Sequence, residues 1–182
     1  MEDIFEMIDV KSKTQTKLFK KKEIIQSQGS TVKSAYLIKK GLVRSFFIDE
    51  KGKEHIYMFA SEGWIIADLE SQEFNKPSEL TIDCIEDSEV ITLSINYFKK
   101  ENISAEKLKK HSVLMARRIA VLQRRVIMLM SYSAKQRYLR FIETYPNLPN
   151  RIPQKMIASY LGITPEALSK IRNEKKGLKR IS

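Results

Sequence analysis

Two hydrophobic rhythms divide this chain. Through the first hundred residues, apolar side chains come in short runs broken by glycine and charged corners; after Ser104 they recur at helical spacing. In the first part, Lys17-Leu18-Phe19 leads into Glu23-Ile24-Ile25, and Gln28-Gly29-Ser30 forms a turn. Ser34–Ile38 reads as a strand closed by Lys39-Lys40-Gly41, and Leu42–Ile48 as the next. Asp49–Lys53 is a hairpin loop, His55–Phe59 returns from it, and Glu62-Gly63 turns again. Thr81–Cys84 and Val90–Leu93 are two further strands. Short strands at close spacing with glycine at the corners predict a small antiparallel barrel or roll. Ahead of it, residues 2–9 predict a short amphipathic helix with Ile4, Phe5 and Ile8 on one side.

The second rhythm begins with a short helix over Ser94–Glu101, where Ile95 and Phe98 lie three apart. Ser104 then caps a long helix. Leu108, Met115, Leu122 and Leu129 repeat every seven residues, and Ile119 and Val126 fill the alternate heptad position. Ser112 and Ser133 interrupt that second row at its ends. This is the spacing of a two-stranded coiled coil. From Ser104 to Ser131 the helix is ~42 Å long at 1.5 Å per residue. Its apolar stripe needs a partner, most simply the same helix of a second copy in a two-fold dimer. The alternative is packing wholly within the monomer. Arg117-Arg118 and Arg124-Arg125, seven apart, line one side of the helix; a solvated flank is the default reading, with interchain salt bridges or a general positive field as alternatives.

A further helix starts at Ser133, with Tyr138, Leu139 and Ile142 on its buried side, and Tyr145–Asn150 ends it in a loop with two prolines and two asparagines. Pro153–Arg172 then reads as two short helices joined at Gly162. Ile157 and Leu161 share a face of the first, Leu168 and Ile171 a face of the second. Ile163 points inward from the turn, and Ala158 is small where a second helix crosses closely. Gly162 supplies the left-handed backbone that a helix end favours. In Thr164-Pro165-Glu166, threonine caps, proline fits the first helical position, and glutamate faces the positive end of the dipole. This is the pattern of a helix-turn-helix, whose core would use Leu139, Ile142, Ile157, Leu161, Leu168 and Ile171.

Charge changes the picture. Residues 1–103 carry 15 Lys+Arg against 18 Asp+Glu, whereas residues 104–182 carry 18 against 4, net +14. That asymmetry points to a polyanion partner for the C-terminal part. In a helix-turn-helix the second helix enters the major groove with its N-terminal residues near base edges. Glu166, Ser169 and Lys170 face outward there. Glu166 can accept from a cytosine amine, Lys170 can donate to guanine, and Ser169 can do either. Gln154, Lys155, Thr164, Arg172, Lys175, Lys176, Lys179 and Arg180 are assigned to phosphate.

Other chemistry is poorly provided for. The single cysteine, Cys84, excludes an internal disulfide and a four-thiolate iron–sulfur cluster within one chain, and its neighbours Ile82 and Ile85 suggest burial. His55 and His111, the two histidines, have no ligand set at metal spacing. No nucleophile–base pair, phosphate-binding glycine loop or carboxylate dyad is evident, so no enzyme is expected, and the acidic residues of 62–89 read as a solvated face. MEDIFEMIDV lacks the basic and apolar regions of a secretory signal, and no apolar run approaches 18 residues. A soluble cytoplasmic protein with no membrane partner is expected.

Several of these residues together resemble the Crp/Fnr family of bacterial transcription regulators. They are Gly29 after a short strand, Tyr36-Leu-Ile-Lys-Lys-Gly41, the hairpin Ile48-Asp-Glu-Lys-Gly52-Lys-Glu, and Gly63 followed by Ile66-Ala67-Asp68-Leu69. The resemblance continues through the long helix and the helix-turn-helix. It implies an α+β chain: an N-terminal antiparallel β-roll (the cupin-like, cyclic-nucleotide-binding-domain fold) over 1–103, a dimerisation helix over 104–132, and a winged-helix-like helix-turn-helix domain over 133–182. It implies a homodimer sealed by the long helix, double-stranded DNA as partner, and RNA polymerase and a small-molecule effector as candidate partners. The family's recognition helix carries Glu, then Ser or Gly, then Arg; here these are Glu166, Ser169 and Lys170, and lysine keeps the charge but loses the two-pronged contact. The family's two-stranded wing has only Glu174–Ser182 to form it, so a shortened wing is expected, its contacts falling to the Lys/Arg tail.

Family members that bind a cyclic nucleotide carry Gly-Glu-Leu and then Arg-Ser or Arg-Thr. Backbone amides and the arginine hold the phosphate, and the glutamate holds the ribose. This chain has Ala67-Asp68-Leu69, then Lys76-Pro77-Ser78-Glu79. Ser78 stands where the arginine belongs and Glu79 where the hydroxyl residue belongs, so cAMP and cGMP are not expected ligands. No cofactor is assigned. Trp64, Ala67, Asp68, Leu69, Ser78 and Glu79 remain a candidate pocket for another effector, with Phe74 beside them. The expected function is a homodimeric, sequence-specific transcription regulator reading an inverted repeat. The alternatives are a ligand-binding module with non-transcriptional output and a non-specific nucleic-acid binder.

Overall fold

The computed structural model describes residues 15–31, 34–94 and 104–178. The helix expected at residues 2–9 lies outside the described residues, as do Ile95 and Phe98 of the short helix expected from Ser94; Ser94 itself ends a strand. The chain divides into two compact units, residues 1–114 and 115–182, with the division inside the long helix.

Among the described residues, the first unit is a roll of eight strands: β1 (Gln15–Phe19), β2 (Ile24–Gln26), β3 (Ser34–Lys40), β4 (Val43–Ile48), β5 (Glu54–Ala60), β6 (Ile65–Ile66), β7 (Thr81–Cys84) and β8 (Ser88–Ser94). They form two four-stranded antiparallel sheets, in the orders β1-β8-β3-β6 and β2-β7-β4-β5. The core unites both: Tyr36, Ile38, Ile66 and Val90 from the first sheet meet Val43, Ala60, Ile82 and Cys84 from the second. Leu37 is buried as fully as Ile38, so β3 is covered on both faces and its apolar run does not alternate. Gly41 shows why the corner after β3 carries no side chain. Its φ is +99°, and a Cβ there would fall 2.7 Å from the Asp87 carbonyl oxygen and 2.8 Å from Ser88 Cα.

Two elements of the roll escape the hydrophobic pattern. β6 is only two residues long, and helix α1 (Leu69–Phe74) leaves Leu69 and Phe74 exposed, so neither shows a periodic stripe. Asp68 starts α1 by accepting from the Ser71 amide at 3.0 Å, and Asn75 ends it in a left-handed conformation.

The remaining helices are α2 (Ala105–Ser131), α3 (Ala134–Thr144), α4 (Leu148–Arg151), α5 (Gln154–Leu161) and α6 (Pro165–Leu178). A reciprocal capping box between Ser133 and Gln136 starts α3. The loop expected over Tyr145–Asn150 closes into the single turn α4. Pro149 is tolerated near its start, and Leu148 is buried beneath it. The expected core residues Ile157, Leu161, Leu168 and Ile171 are buried. On α3 the inward face differs: Tyr138 and Phe141 are buried, whereas Leu139 and Ile142 are only half-buried. The true stripe is Tyr138, Phe141 and Tyr145, which builds an aromatic cluster. The ring centres of Tyr145 and Tyr160 each lie 5.6 Å from that of Phe141. Burial, together with the neighbouring Tyr160, raises the Tyr145 hydroxyl pKa. Among the described residues, no helix is long and apolar enough to cross a membrane.

Candidate nucleic-acid interface and sensor cassette

Helix α6 is aimed by the turn before it. Gly162 ends α5 at φ +65°, donating back to the Ala158 and Ser159 carbonyls. Thr164 then caps α6, its hydroxyl oxygen accepting from the Ala167 amide at 3.2 Å. With Leu168 and Ile171 buried, the opposite face presents Glu166, Ser169 and Lys170, all exposed. The Glu166 carboxyl is held below its ordinary range because its own backbone N–H and the Thr164 hydroxyl donate to it. It is therefore a stable acceptor at the point where α6 begins.

The residues assigned to phosphate are more scattered. Gln154 and Lys155 are exposed on the first turn of α5, and Thr164 is exposed at the cap, while Arg172 is half-buried. Lys175 and Lys176 lie on α6 itself: the helix continues to Leu178, so Glu174–Leu178 is helical rather than a tail or the stub of a wing. Asn-Glu-Lys-Lys after Arg172 contains no strong helix breaker, which carries the helix as far as Gly177 in its last turn. Lys179 and Arg180 lie outside the described residues.

On α2, Leu108, Ile119 and Val126 are 56%, 65% and 54% exposed, and Leu129 is also exposed. Met115 and Leu122, beside them on the same side, are half-buried. Met130, which the heptad pattern omits, is exposed on the same stripe. These exposed apolar side chains include Leu108, Ile119, Val126 and Leu129, which the heptad spacing picks out.

The cassette in the roll is closed by its own side chains. Asp68 is buried and gives both carboxylate oxygens to the protein: Oδ1 to the Ser71 amide at 3.0 Å, Oδ2 to the Ser78 hydroxyl at 2.8 Å and the Glu79 amide at 3.2 Å. Ser78, 2% exposed, also accepts from the Gln26 side-chain amide at 2.8 Å and from the Leu80 amide at 3.1 Å. The nearby cation, Lys76, sits 3.9 Å from Glu70 and over the Phe74 ring. Trp64 and Ala67 are half-buried, Leu69 and Glu79 exposed, and Trp64 packs against the core cluster. A cyclic phosphate placed here would meet a carboxylate whose amide donors are already engaged, and no guanidinium.

Acidic residues thus depart from the solvated face expected of 62–89: Glu62, half-buried, accepts from the Gly41 amide at 3.1 Å. Asp68 is buried in this network, and Asp83 pairs with Arg44, the two nitrogens Nε and Nη2 reaching its oxygens at 2.7 and 2.9 Å. Glu54 also goes to Arg44, at 2.6 Å, and His55 pairs with Asp49 at 2.8 Å. No group of three or more His, Cys, Asp or Glu suited to a metal occurs among the described residues. Cys84 is buried, and burial pushes its thiol up to about 11, which keeps it protonated and unreactive.

Comparison with known proteins agrees with this arrangement. Residues 16–101 match the family described as the cyclic nucleotide-binding domain. Electron transport regulator A of Shewanella oneidensis is 27% identical, over 89% of this chain and 70% of its own. FixK2 from Bradyrhizobium japonicum superposes with a TM-score of 0.78 at 18% identity, covering 92% of this chain and 86% of its own. TTHA1359 of Thermus thermophilus, a transcriptional regulator of the CRP/FNR family, gives 0.69 at 21% identity over 88% of this chain and 84% of its own. Residues 16–101 thus match the cyclic nucleotide-binding domain, in a chain whose fold is that of FixK2 and of the CRP/FNR-family regulator TTHA1359.

Proposed function

We propose that this protein is a homodimeric, sequence-specific DNA-binding regulator of transcription, with no enzymatic activity, working in the cytoplasm on an inverted-repeat operator. One observation carries the reading: Glu166, Ser169 and Lys170 stand together on the open face of a helix whose other face is buried. The strongly basic C-terminal half supplies the attraction to a polyanion. The exposed stripe of Leu108, Ile119 and Val126 supplies the second copy. Two reading helices then address half-sites one helical turn apart, ~34 Å. In this reading the three parts are a roll, a dimerisation helix and a reading domain, as the sequence divides them.

The roll works without cAMP or cGMP. Asp68 and Ser78 saturate one another where a phosphate would need a cation. An effector of another chemistry, acting through Trp64, Ala67 and Leu69, would bias the reading heads about the long helix. Its output would reach RNA polymerase through DNA occupancy.

Selection of DNA from a random pool at ~150 mM salt tests the reading. Enrichment of a palindrome, bound by a species of twice the chain mass, is the expected result. Equal affinity for scrambled DNA would leave a non-specific binder instead. Ile119→Lys combined with Val126→Lys should give a monomer that no longer selects the palindrome.

A further inference from the structure

The last carbonyls of a helix lack partners within it and carry the negative end of its dipole. In α5 the turn satisfies two of them: Ala158 accepts from Gly162 and Ile163, and Ser159 from Gly162. The other two are taken by arginines from different elements. Arg125, on α2, donates from Nη2 to the Tyr160 carbonyl at 3.1 Å, with its guanidinium 3.8 Å above the Tyr160 ring. Arg137, on α3, donates from Nη1 to the Leu161 carbonyl at 3.0 Å.

Arg137 does more. Its Nη2 donates to the Leu129 carbonyl at 2.8 Å, and its Nε to the Tyr132 carbonyl at 3.0 Å. The Leu129 carbonyl belongs to the last turn of α2, and Tyr132 is the first residue beyond it. One guanidinium therefore caps the C-terminal ends of two helices at once: the long helix that bears the seam and the helix that precedes the reading turn. No carboxylate shares it in these bonds. The planar fork matters, because three carbonyls approach it from two helix ends and a single ammonium could not meet them in that geometry. Gly162 lies against the same group: a Cβ there would sit 3.4 Å from Arg137 Nη1 and 3.5 Å from Leu129 Cδ2.

We propose that Arg137, supported by Arg125, is a positioning residue that locks the reading turn to the end of the seam helix and so sets the half-site spacing the dimer accepts. Neither arginine reads a base. Their effect is on register: the seam fixes where α2 ends, the guanidinium fixes α5 against that end, and Gly162 fixes α6 to α5. The proposal rests on the dimeric DNA-reading function above.

The experiment uses the full chain and its selected palindrome, with the centre lengthened or shortened by one and two base pairs. Each added pair turns one half-site by about 35° relative to the other. The wild type should lose about tenfold or more in affinity at two pairs. Arg137→Lys keeps the charge but not the fork; it should bind an isolated half-site as the wild type does yet lose less than about threefold across the spacing series. Arg125→Lys should show the same relaxation in smaller degree, and serves alone if Arg137→Lys does not fold by circular dichroism. Spacing profiles identical to the wild type in the folded variants would overturn the proposal. A wild type that selects no palindrome would instead sink the function on which it rests, and the proposal with it.

Discussion

The roll buries Arg44 and the helical unit half-buries Arg125 and Arg137, and the two units hold these arginines differently. In the roll, Arg44 is gripped by two carboxylates, Asp83 and Glu54, with its guanidinium 4.1 Å from the Phe46 ring centre. Burial alone would lower its pKa, but the bonds to Asp83 and Glu54 outweigh that and raise it. In the reading unit, Arg125 and Arg137 are held by carbonyl oxygens, which engage their donors without cancelling their charge. Lysines of the roll are also paired, Lys20 with Asp87 and Lys39 with Glu89. The difference assigns two jobs to one residue type. Charge in the roll is local glue between strands β4, β5 and β7; the helical unit also pairs Lys135 with Glu174 and Arg140 with Glu143, but 18 Lys+Arg against 4 Asp+Glu over residues 104–182 leave a net positive field.

The largest expected effect breaks this contrast from the roll side. Arg44→Ala leaves Asp83, a largely buried carboxylate, without its cation, and removing one partner of such a pair costs about 3–5 kcal/mol. Trp64 is the chain's one tryptophan and packs on the roll's core, so its fluorescence during urea unfolding reports on that unit. A loss below about 1 kcal/mol would make the roll's ion pairs no more structural than ordinary surface pairs.

The second effect is smaller and opposite in kind. Lys170→Ala should change thermal stability by no more than about 0.5 kcal/mol, because its side chain is exposed. It should weaken binding to the selected operator by about 1–3 kcal/mol and relax the preference at one position of each half-site. Uniform weakening over all sequences would move Lys170 from base reading to phosphate contact. Lys155→Ala should do the reverse: uniform weakening, with the salt dependence less steep by about 0.9 in log–log slope.

These contrasts were unequally legible in the sequence. The strands of the roll, the long helix and the helix-turn-helix follow from local pattern, because a period of two or 3.6 and a glycine corner are written in neighbouring residues. What local pattern missed are contacts between distant segments. Asp68 and Ser78 are ten residues apart and meet only because α1 turns the chain back; in the sequence Asp68 resembles any solvated acid. Arg125 and Arg137 look like two more cations in a basic stretch. Only the fold shows that their partners are the carbonyls of Tyr160, Leu161, Leu129 and Tyr132. On α3 the expected Tyr138 is buried, but its partner inward is Phe141 rather than Leu139 or Ile142, because Tyr138, Phe141 and Tyr145 follow the helical spacing that builds the aromatic cluster.

The smallest effect separates the two regions by acid. Asp87 and Asp49 both lie on exposed corners of the roll, and both have folded pKa values below the ordinary 3.8. The Lys21 backbone N–H, at 2.9 Å, and then the Lys20 ammonium hold Asp87 ionised. For Asp49 the causes are His55 and then the backbone N–H groups of Lys53 and Lys51. A carboxyl depressed on folding adds stability above its unfolded pKa and loses it as pH falls through the folded value. Asp87→Asn should therefore lower the melting temperature of the roll, followed by Trp64, at neutral pH. The gap to wild type should narrow below about pH 4 and close once Asp87 is protonated in the folded state as well as the unfolded one. Operator affinity at neutral pH should be unchanged, since the lost charge belongs to the roll's internal pairing. Melting curves that stay parallel down to the lowest pH would show that the Lys20–Lys21 corner holds Asp87 no better than water does, and the division between glue and field would then rest on Arg44 alone.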